Sequence, residues 1–252
     1  MNNLRIADED MHRLKPALCS ISWRYSTGLM TIIDLCANLG IHGLEIWLPH
    51  LAAVSPIKVR DALKEKRIEA VCLSVPWGAR FWEHGNALVH YASTVGARGI
   101  KVFGDTFNAA DNLPGKLREF AEAAAVRGLE VYLETHDGQP HDTVDHCLAL
   151  YQKAASKNVR FIFDLFNTWF LKEDLTEAYG RLAPLIAHFH LKWGVQSPET
   201  GYSPKPLAQA PISFSTVLAA VPRSPIWCSL EMASDEGLIR DNLAWLQAQD
   251  QS

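Results

Sequence analysis

The 252-residue sequence predicts an α/β fold of one kind, a single (β/α)8 TIM barrel. Three observations predict it. Short apolar, β-branched runs recur eight times, and six of the seven start-to-start intervals are 26–30 residues. The runs are continuous rather than alternating, as parallel strands buried on both faces require. The segments between them carry helix start and stop signals. Eight such units in one unbroken series suggest a closed barrel, whereas a doubly wound open sheet usually carries a GxGxxG turn, which this chain lacks.

In order, the expected strands are ALCSIS (17–22), GLEIW (43–47), EAVCLSV (69–75) and GIKVFGD (99–105). LEVYLETH (129–136), VRFIFDLF (159–166), IAHFHLK (186–192) and PIWCSLEM (225–232) follow. Between strands two and three, Ser55-Pro56 offers an N-cap and a first-turn proline for a helix running to about Lys66. Leu113 to Arg127 is rich in Ala, Glu and Arg and meets a stop at Gly128. Asp142 or Thr143 caps the next helix, through about Ser156. Gly40, Gly96 and Gly128 each fall just before a strand, where αβ loops want them. The stretch SPETGYSPKPLAQAP (197–211) reads as a long loop over one end of the barrel.

Residues 1–16 (MNNLRIADEDMHRLKP) alternate in charge without an apolar run; they are expected to be an N-terminal extension rather than a signal peptide, with 17–252 as the barrel domain. A formal charge of −4 and no Lys/Arg cluster argue against nucleic acid as a partner. No stretch approaches a membrane span in length. The five cysteines are odd in number, widely spaced and set in apolar runs, which reads as buried thiols in a reducing cytoplasm.

Barrel active sites lie at the C-terminal strand ends. There strand five ends in Glu134, strand six carries Asp164, strand seven presents His190 and strand eight ends in Glu231. Charges inside apolar strands are costly to bury unless paired or bound to metal, and carboxylates this close repel without a cation. The four form an oxygen-rich set suited to Mn²⁺, with Mg²⁺, Co²⁺ or Zn²⁺ as alternatives. In VYLETHDGQPHD (131–142), only Glu134 is then a candidate ligand, and His141 and Asp142 belong to the loop and helix cap.

The series GLEIW, LETHDG, FDLFN, HFHLKW and SLEM resembles the xylose isomerase-like superfamily of sugar isomerases and epimerases, from about Pro16 onward. That resemblance implies a divalent metal on Glu134, Asp164, His190 and Glu231. It also implies, from the ketose 3-epimerase branch, that Glu134 and Glu231 act as an acid–base pair on opposite faces of a sugar. Two departures bear on the substrate and reaction. Asn167 stands where epimerases usually have a histidine, and strand three ends in LSVPW without the histidine often found there. Both also argue against the apurinic endonuclease branch, whose multi-zinc site needs those histidines.

Further candidates line the same rim. His136, Asn167 and Lys192 are read as substrate contacts, against loop anchoring, helix capping and charge balance. Glu45 is either a substrate contact or an ion-pair partner, and His188 an interior histidine. Trp23, Trp47, Trp77, Trp169 and Trp193 fall at strand ends and Trp82 follows in a loop, suiting sugar stacking or loop anchoring. Loops 76–86 and 194–211 are expected to cover the site, bringing Trp77, Trp82 or Trp193 to the substrate. HDTVDH (141–146) is discounted as a metal motif because its histidines diverge around a helix. The expected activity is a metal-dependent isomerase or epimerase of a sugar or polyol-derived ketone. A lyase or dehydratase on the same scaffold is the rival, followed by a non-catalytic sugar-binding barrel or a partner-dependent subunit; a homodimer is expected by analogy.

Overall fold

The structure, a computed structural model, describes residues 13–77, 84–104, 112–197, 201–211, 213–222 and 224–251. Its strands and helices run β1 (Leu14–Cys19), α1 (Leu29–Asn38), β2 (Gly43–Trp47), α2 (Pro56–Glu65), β3 (Glu69–Ser74) and α3 (Gly85–Val95). Then come β4 (Gly99–Val102), α4 (Leu113–Ala125), β5 (Glu130–Glu134), α5 (Val144–Ala154), β6 (Val159–Asp164), α6 (Leu165–Phe170) and α7 (Leu175–Leu182). β7 (Ile186–Leu191), β8 (Gly194–Ser197), β9 (Gly201–Pro204), α8 (Ser213–Ala219), β10 (Ile226–Leu230) and α9 (Glu236–Asp250) complete the chain. β1 to β7 and β10 form a closed barrel in which each strand pairs in parallel with its neighbours.

Local chemistry sets the ends of these elements. The side chains of Asn112, Thr143, Asp174 and Asp235 each accept a backbone N–H in the first turn of the helix that follows. Gly40, Gly96 and Gly128 adopt φ of +66° to +77°, the left-handed turn by which three helices hand over to strands. β1 differs from expectation: it begins at Leu14, with Leu14 N donating to Asp250 Oδ1, and Ser20–Ser22 turns away as a 3-10 helix. The segment after β7 also differs. It folds back as an antiparallel ribbon, β8 on β9, where the prolines had suggested only irregular loop.

The largest apolar cluster joins strands to helices, from Leu14 and Leu18 of β1 to Ile239 and Leu246 of α9. Two small clusters stand apart, Ala17 with Val71 and Trp227, and Cys72 with Tyr132 and Ile162. Side chains on one strand repeat their face every two residues, so Tyr132 shares a face with Glu134, Ile162 with Asp164, and His188 with His190. Apolar filling therefore gives way to charge toward the C-terminal mouth. All five cysteines are buried and free, and none of the described helices is long and apolar enough to cross a membrane.

Gly43 marks how tightly the filling packs. A Cβ there would stand 2.5 Å from the Trp227 ring and 2.7 Å from Ala17 Cβ. We expect Gly43→Ala to destabilise the barrel by about 1–3 kcal/mol through overpacking, read as a lower urea midpoint at unchanged slope. An unchanged midpoint would mean the filling yields freely.

Candidate metal centre and active site

Glu134, Asp164, His190 and Glu231 come from four consecutive barrel strands, β5, β6, β7 and the end of β10. Asp164 and His190 are register partners, and Glu231 N donates to Leu191 O just past β10. Met232, with φ +63°, turns the chain away immediately after Glu231. The four residues offer ligand atoms that all lie within 4.8 Å of one another. His190 Nδ1 lies 3.1 Å from Glu134 Oε1, 3.8 Å from Glu231 Oε1 and 3.9 Å from Asp164 Oδ2. Asp164 divides its carboxylate: Oδ1 accepts from Asn167 N and caps α6, while Oδ2 faces the cluster.

Charge bookkeeping defines the site. Among the described residues, the buried Asp, Glu, Lys and Arg side chains are Glu45, Glu134, Asp164, Glu231, Lys101 and Lys192. All six belong to this one cluster. Lys101 lies 2.8 Å from Glu134 Oε2 and 3.3 Å from Glu45 Oε1, and Lys192 lies 2.6 Å from Glu231 Oε2 and 2.7 Å from Asp164 Oδ2. Each lysine's shortest contact is a hydrogen bond, Lys101 to Glu134 and Lys192 to Glu231; the others are ion pairs. Four carboxylates against two ammonium groups leave two negative charges uncompensated when His190 is neutral. That is the charge of one divalent cation, and the donor set fits one.

Without a cation the cluster holds protons instead. Burial alone would lower the pKa of His190, but Glu45 and Glu134 outweigh it and push the imidazolium up to about 10. Burial raises Asp164 to about 6, against the pull of Lys192. Burial likewise acts to raise Glu45 and Glu134, yet His190 and Lys101 hold both well below the usual carboxylate range.

The other sequence candidates sort by position. Glu45 is fully buried, with Oε2 2.7 Å from His190 Nε2, which places it as the ion-pair partner and leaves it no exposed surface for substrate. Asn167 is buried on α6, and its amide donates to Thr135 O and, at 3.4 Å, to Glu134 Oε1. His188 is interior, 3.4 Å from Glu45 Oε2 and edge-on to Tyr132. His136 stands at the rim, its Nδ1 2.8 Å from Asp137 O, with the ring edge-on to Trp77 at 4.6 Å. Trp77 is 51% exposed, whereas Trp23 and Trp47 are buried. Trp193 packs among Phe166, Trp169 and Phe214, as an anchor for the segment after β7. Trp82 lies outside the described residues. In HDTVDH, Thr143 caps α5 and His146 pairs with Asp142 at the surface, but His141 is fully buried.

Two features escaped sequence reasoning. Lys101 is one; its signal was a lone cation inside the apolar run GIKVF. The other is Thr135, whose hydroxyl accepts from Asp164 N and pins β6 to the end of β5; nothing in a threonine at a strand end announces that.

Against known proteins, residues 33–249 match the family model described as xylose isomerase-like TIM barrel. The chain belongs to that family. A 3-dehydroshikimate dehydratase of Bacillus anthracis is 24% identical over 200 residues, 71% of either chain. A xylose isomerase-like TIM barrel protein from Mycobacterium smegmatis, solved in complex with magnesium, aligns with a TM-score of 0.71 at 15% identity, covering 98% of this chain and 99% of that one. D-psicose 3-epimerase from Clostridium cellulolyticum H10 aligns with a TM-score of 0.71 at 14% identity, covering 93% and 98%. These structural likenesses are likenesses of fold. Family membership makes this a xylose isomerase-like TIM barrel, and a curated relative is a dehydratase.

The His190 proton supplies a test of the donor set. A metal takes the neutral imidazole, so at pH 7 a cation bound by this set must expel that proton. Calorimetric titration of Mn²⁺ at pH 7 in buffers of different ionisation enthalpy should report about one proton released per ion, with affinity rising as pH rises. Binding without proton release would mean either that His190 is not a ligand or that it carries no extra proton in the metal-free protein.

Proposed function

We propose that the protein is a divalent-metal-dependent enzyme that removes the proton next to a carbonyl in a sugar or polyol-derived ketone. The observation that carries the proposal is the donor set at the barrel mouth, three carboxylates and one imidazole with two negative charges left over. When bound, the cation supplies Lewis acidity toward the substrate carbonyl, which lowers the cost of taking the neighbouring proton. Mn²⁺ is the first choice for such a set, with Mg²⁺, Co²⁺ and Zn²⁺ as alternatives.

The chain's own residues divide the remaining work unequally. Glu134 is 1% exposed and spends its oxygens on Lys101, His190 and Asn167, so its role is to hold the cation rather than to move protons. This revises the expectation of Glu134 and Glu231 as an acid–base pair on opposite faces. Glu231 is 8% exposed and shares one oxygen with Lys192, whose ammonium can also meet a substrate oxygen. His136 is the better base. A carbonyl only accepts, so the contact to Asp137 O puts the ring proton on Nδ1 and the lone pair of a neutral ring on Nε2, which makes no hydrogen bond among the described residues. Trp77, exposed beside it, offers a face for the substrate.

Once the proton is gone, the substrate can be reprotonated, giving an isomerase or epimerase, or can lose a neighbouring hydroxyl, giving a lyase. Two observations favour the lyase. Glu134 is committed elsewhere and offers no acid for the opposite face, and the curated relative is a dehydratase.

The test is incubation with Mn²⁺ in D₂O of ketoses, keto-inositols and dehydroshikimate-type substrates, read by mass spectrometry. A lyase product is lighter by one water, whereas an isomerase or epimerase product keeps its mass apart from one deuterium. No turnover and no deuterium uptake from the whole panel, with metal bound, rejects the proposal. His136→Ala should lower turnover about 10²–10⁴-fold at unchanged Mn²⁺ content. Full turnover by that variant removes His136 from the role.

A further inference from the structure

We propose that Glu45 and Lys101 are positioning residues for the metal centre, which through a closed ring of charged contacts decide the nitrogen that His190 presents. The inference rests on the metal reading of the same site. Lys101 Nζ lies 2.8 Å from Glu134 Oε2, and Glu134 Oε1 lies 3.1 Å from His190 Nδ1. His190 Nε2 lies 2.7 Å from Glu45 Oε2, and Glu45 Oε1 lies 3.3 Å from Lys101 Nζ, closing the ring. Its four members come from β2, β4, β5 and β7, and each is 2% exposed or less.

The chemistry of an imidazole makes this ring directional. Of the two ring nitrogens, Nδ1 is the one that faces Glu134, Asp164 and Glu231. It can donate a lone pair to a cation only if the ring proton resides on Nε2. An ionised carboxylate accepts and never donates, so Glu45 at Nε2 stabilises that tautomer against the other. A carboxylate with no exposure keeps its charge only with a cation beside it, and Lys101 is that cation. Lys101 does a second thing. By holding Glu134 Oε2 it leaves Oε1 as the oxygen turned toward His190, so Glu134 offers the centre one donor rather than two.

The ring also accounts for a second group with metal-like spacing, Glu45, Cys72 and His188. Glu45 Oε2 faces His190 and Oε1 stands 3.3 Å from Lys101 Nζ, so this group belongs to the support of the first site.

The experiment compares chelator-stripped wild type, Glu45→Gln and the charge-neutral double variant Glu45→Gln/Lys101→Met. Each is titrated calorimetrically with Mn²⁺, and ¹⁵N spectra of the histidines are recorded with Zn²⁺ as a diamagnetic probe. In wild type, His190 should bind Zn²⁺ through Nδ1 and carry its proton on Nε2. A glutamine amide can accept or donate, so Glu45→Gln should weaken Mn²⁺ binding about 10–100-fold with circular dichroism and thermal midpoint retained. Where the single variant fails to fold, the double variant carries the comparison with the same expected loss. Zn²⁺ bound through Nε2 in wild type would overturn the inference, as would wild-type Mn²⁺ affinity in a folded Glu45→Gln or double variant. Wild type that binds no Mn²⁺ at all would overturn the metal reading itself, and this inference with it.

Discussion

Everything at the mouth of this barrel follows from one constraint: charges buried away from water must nearly cancel. The closed parallel sheet lets no strand edge reach solvent and fills its lower interior with Trp227, Tyr132 and Ile162. The charge that the strands bury collects toward the open end and finds partners there. Four carboxylates, two lysines and His190 do so. The two negative charges that remain explain why this end of the fold calls for a divalent cation, and the same imbalance explains why His190 holds a proton so tightly without one.

The two lysines serve that balance in different ways. Lys101 is 2% exposed and sits between Glu45 and Glu134, contacts within the protein on every side, so its charge is committed to the scaffold. Lys192 is 8% exposed and bridges Asp164 and Glu231 at the mouth, where a cation or a substrate oxygen would compete for the same partners. One charge is enclosed and the other borders the mouth. Under the proposed function, Lys101 would stay with the scaffold while Lys192 met the substrate.

The barrel and the four ligand candidates were legible in the sequence because both rest on contrasts that a linear reading detects. Apolar runs at regular spacing reveal strands, and Glu134, Asp164, His190 and Glu231 stand out as polar groups at the ends of such runs. Lys101 stands out by the same rule, yet a lone lysine in a four-residue strand reads as a surface cation until its partners from β2 and β5 are known. The β8–β9 ribbon was hidden for another reason. Prolines at 198, 204, 206 and 211 punctuate the segment, and Pro204 ends β9, so the strand signal is too short to register against them. Tryptophans were ambiguous by nature. A ring at a strand end can stack on a ligand or anchor a loop, and only packing separates Trp193, set among other aromatic rings, from Trp77, half open to solvent.

His141 carries the argument about buried polarity one step past the charges. Its ring is fully buried, and neither nitrogen makes a well-aligned hydrogen bond among the described residues. Burial pushes its pKa down to about 4, so the ring stays neutral and adds nothing to the charge balance. What it contributes is contact. A Cβ on Gly104 would come within 3.1 Å of His141 Nδ1 and 3.0 Å of Pro140 Cδ, so the segment after β5 lies directly on the backbone that follows β4. That segment holds Thr135, which pins Asp164, and His136, the proposed base. A buried ring of this kind packs as an apolar group would, at the cost of its lost contacts with water. The contact lies in the segment between Glu134, a metal-ligand candidate, and the helix cap at Thr143, and it fixes that segment against the backbone after β4.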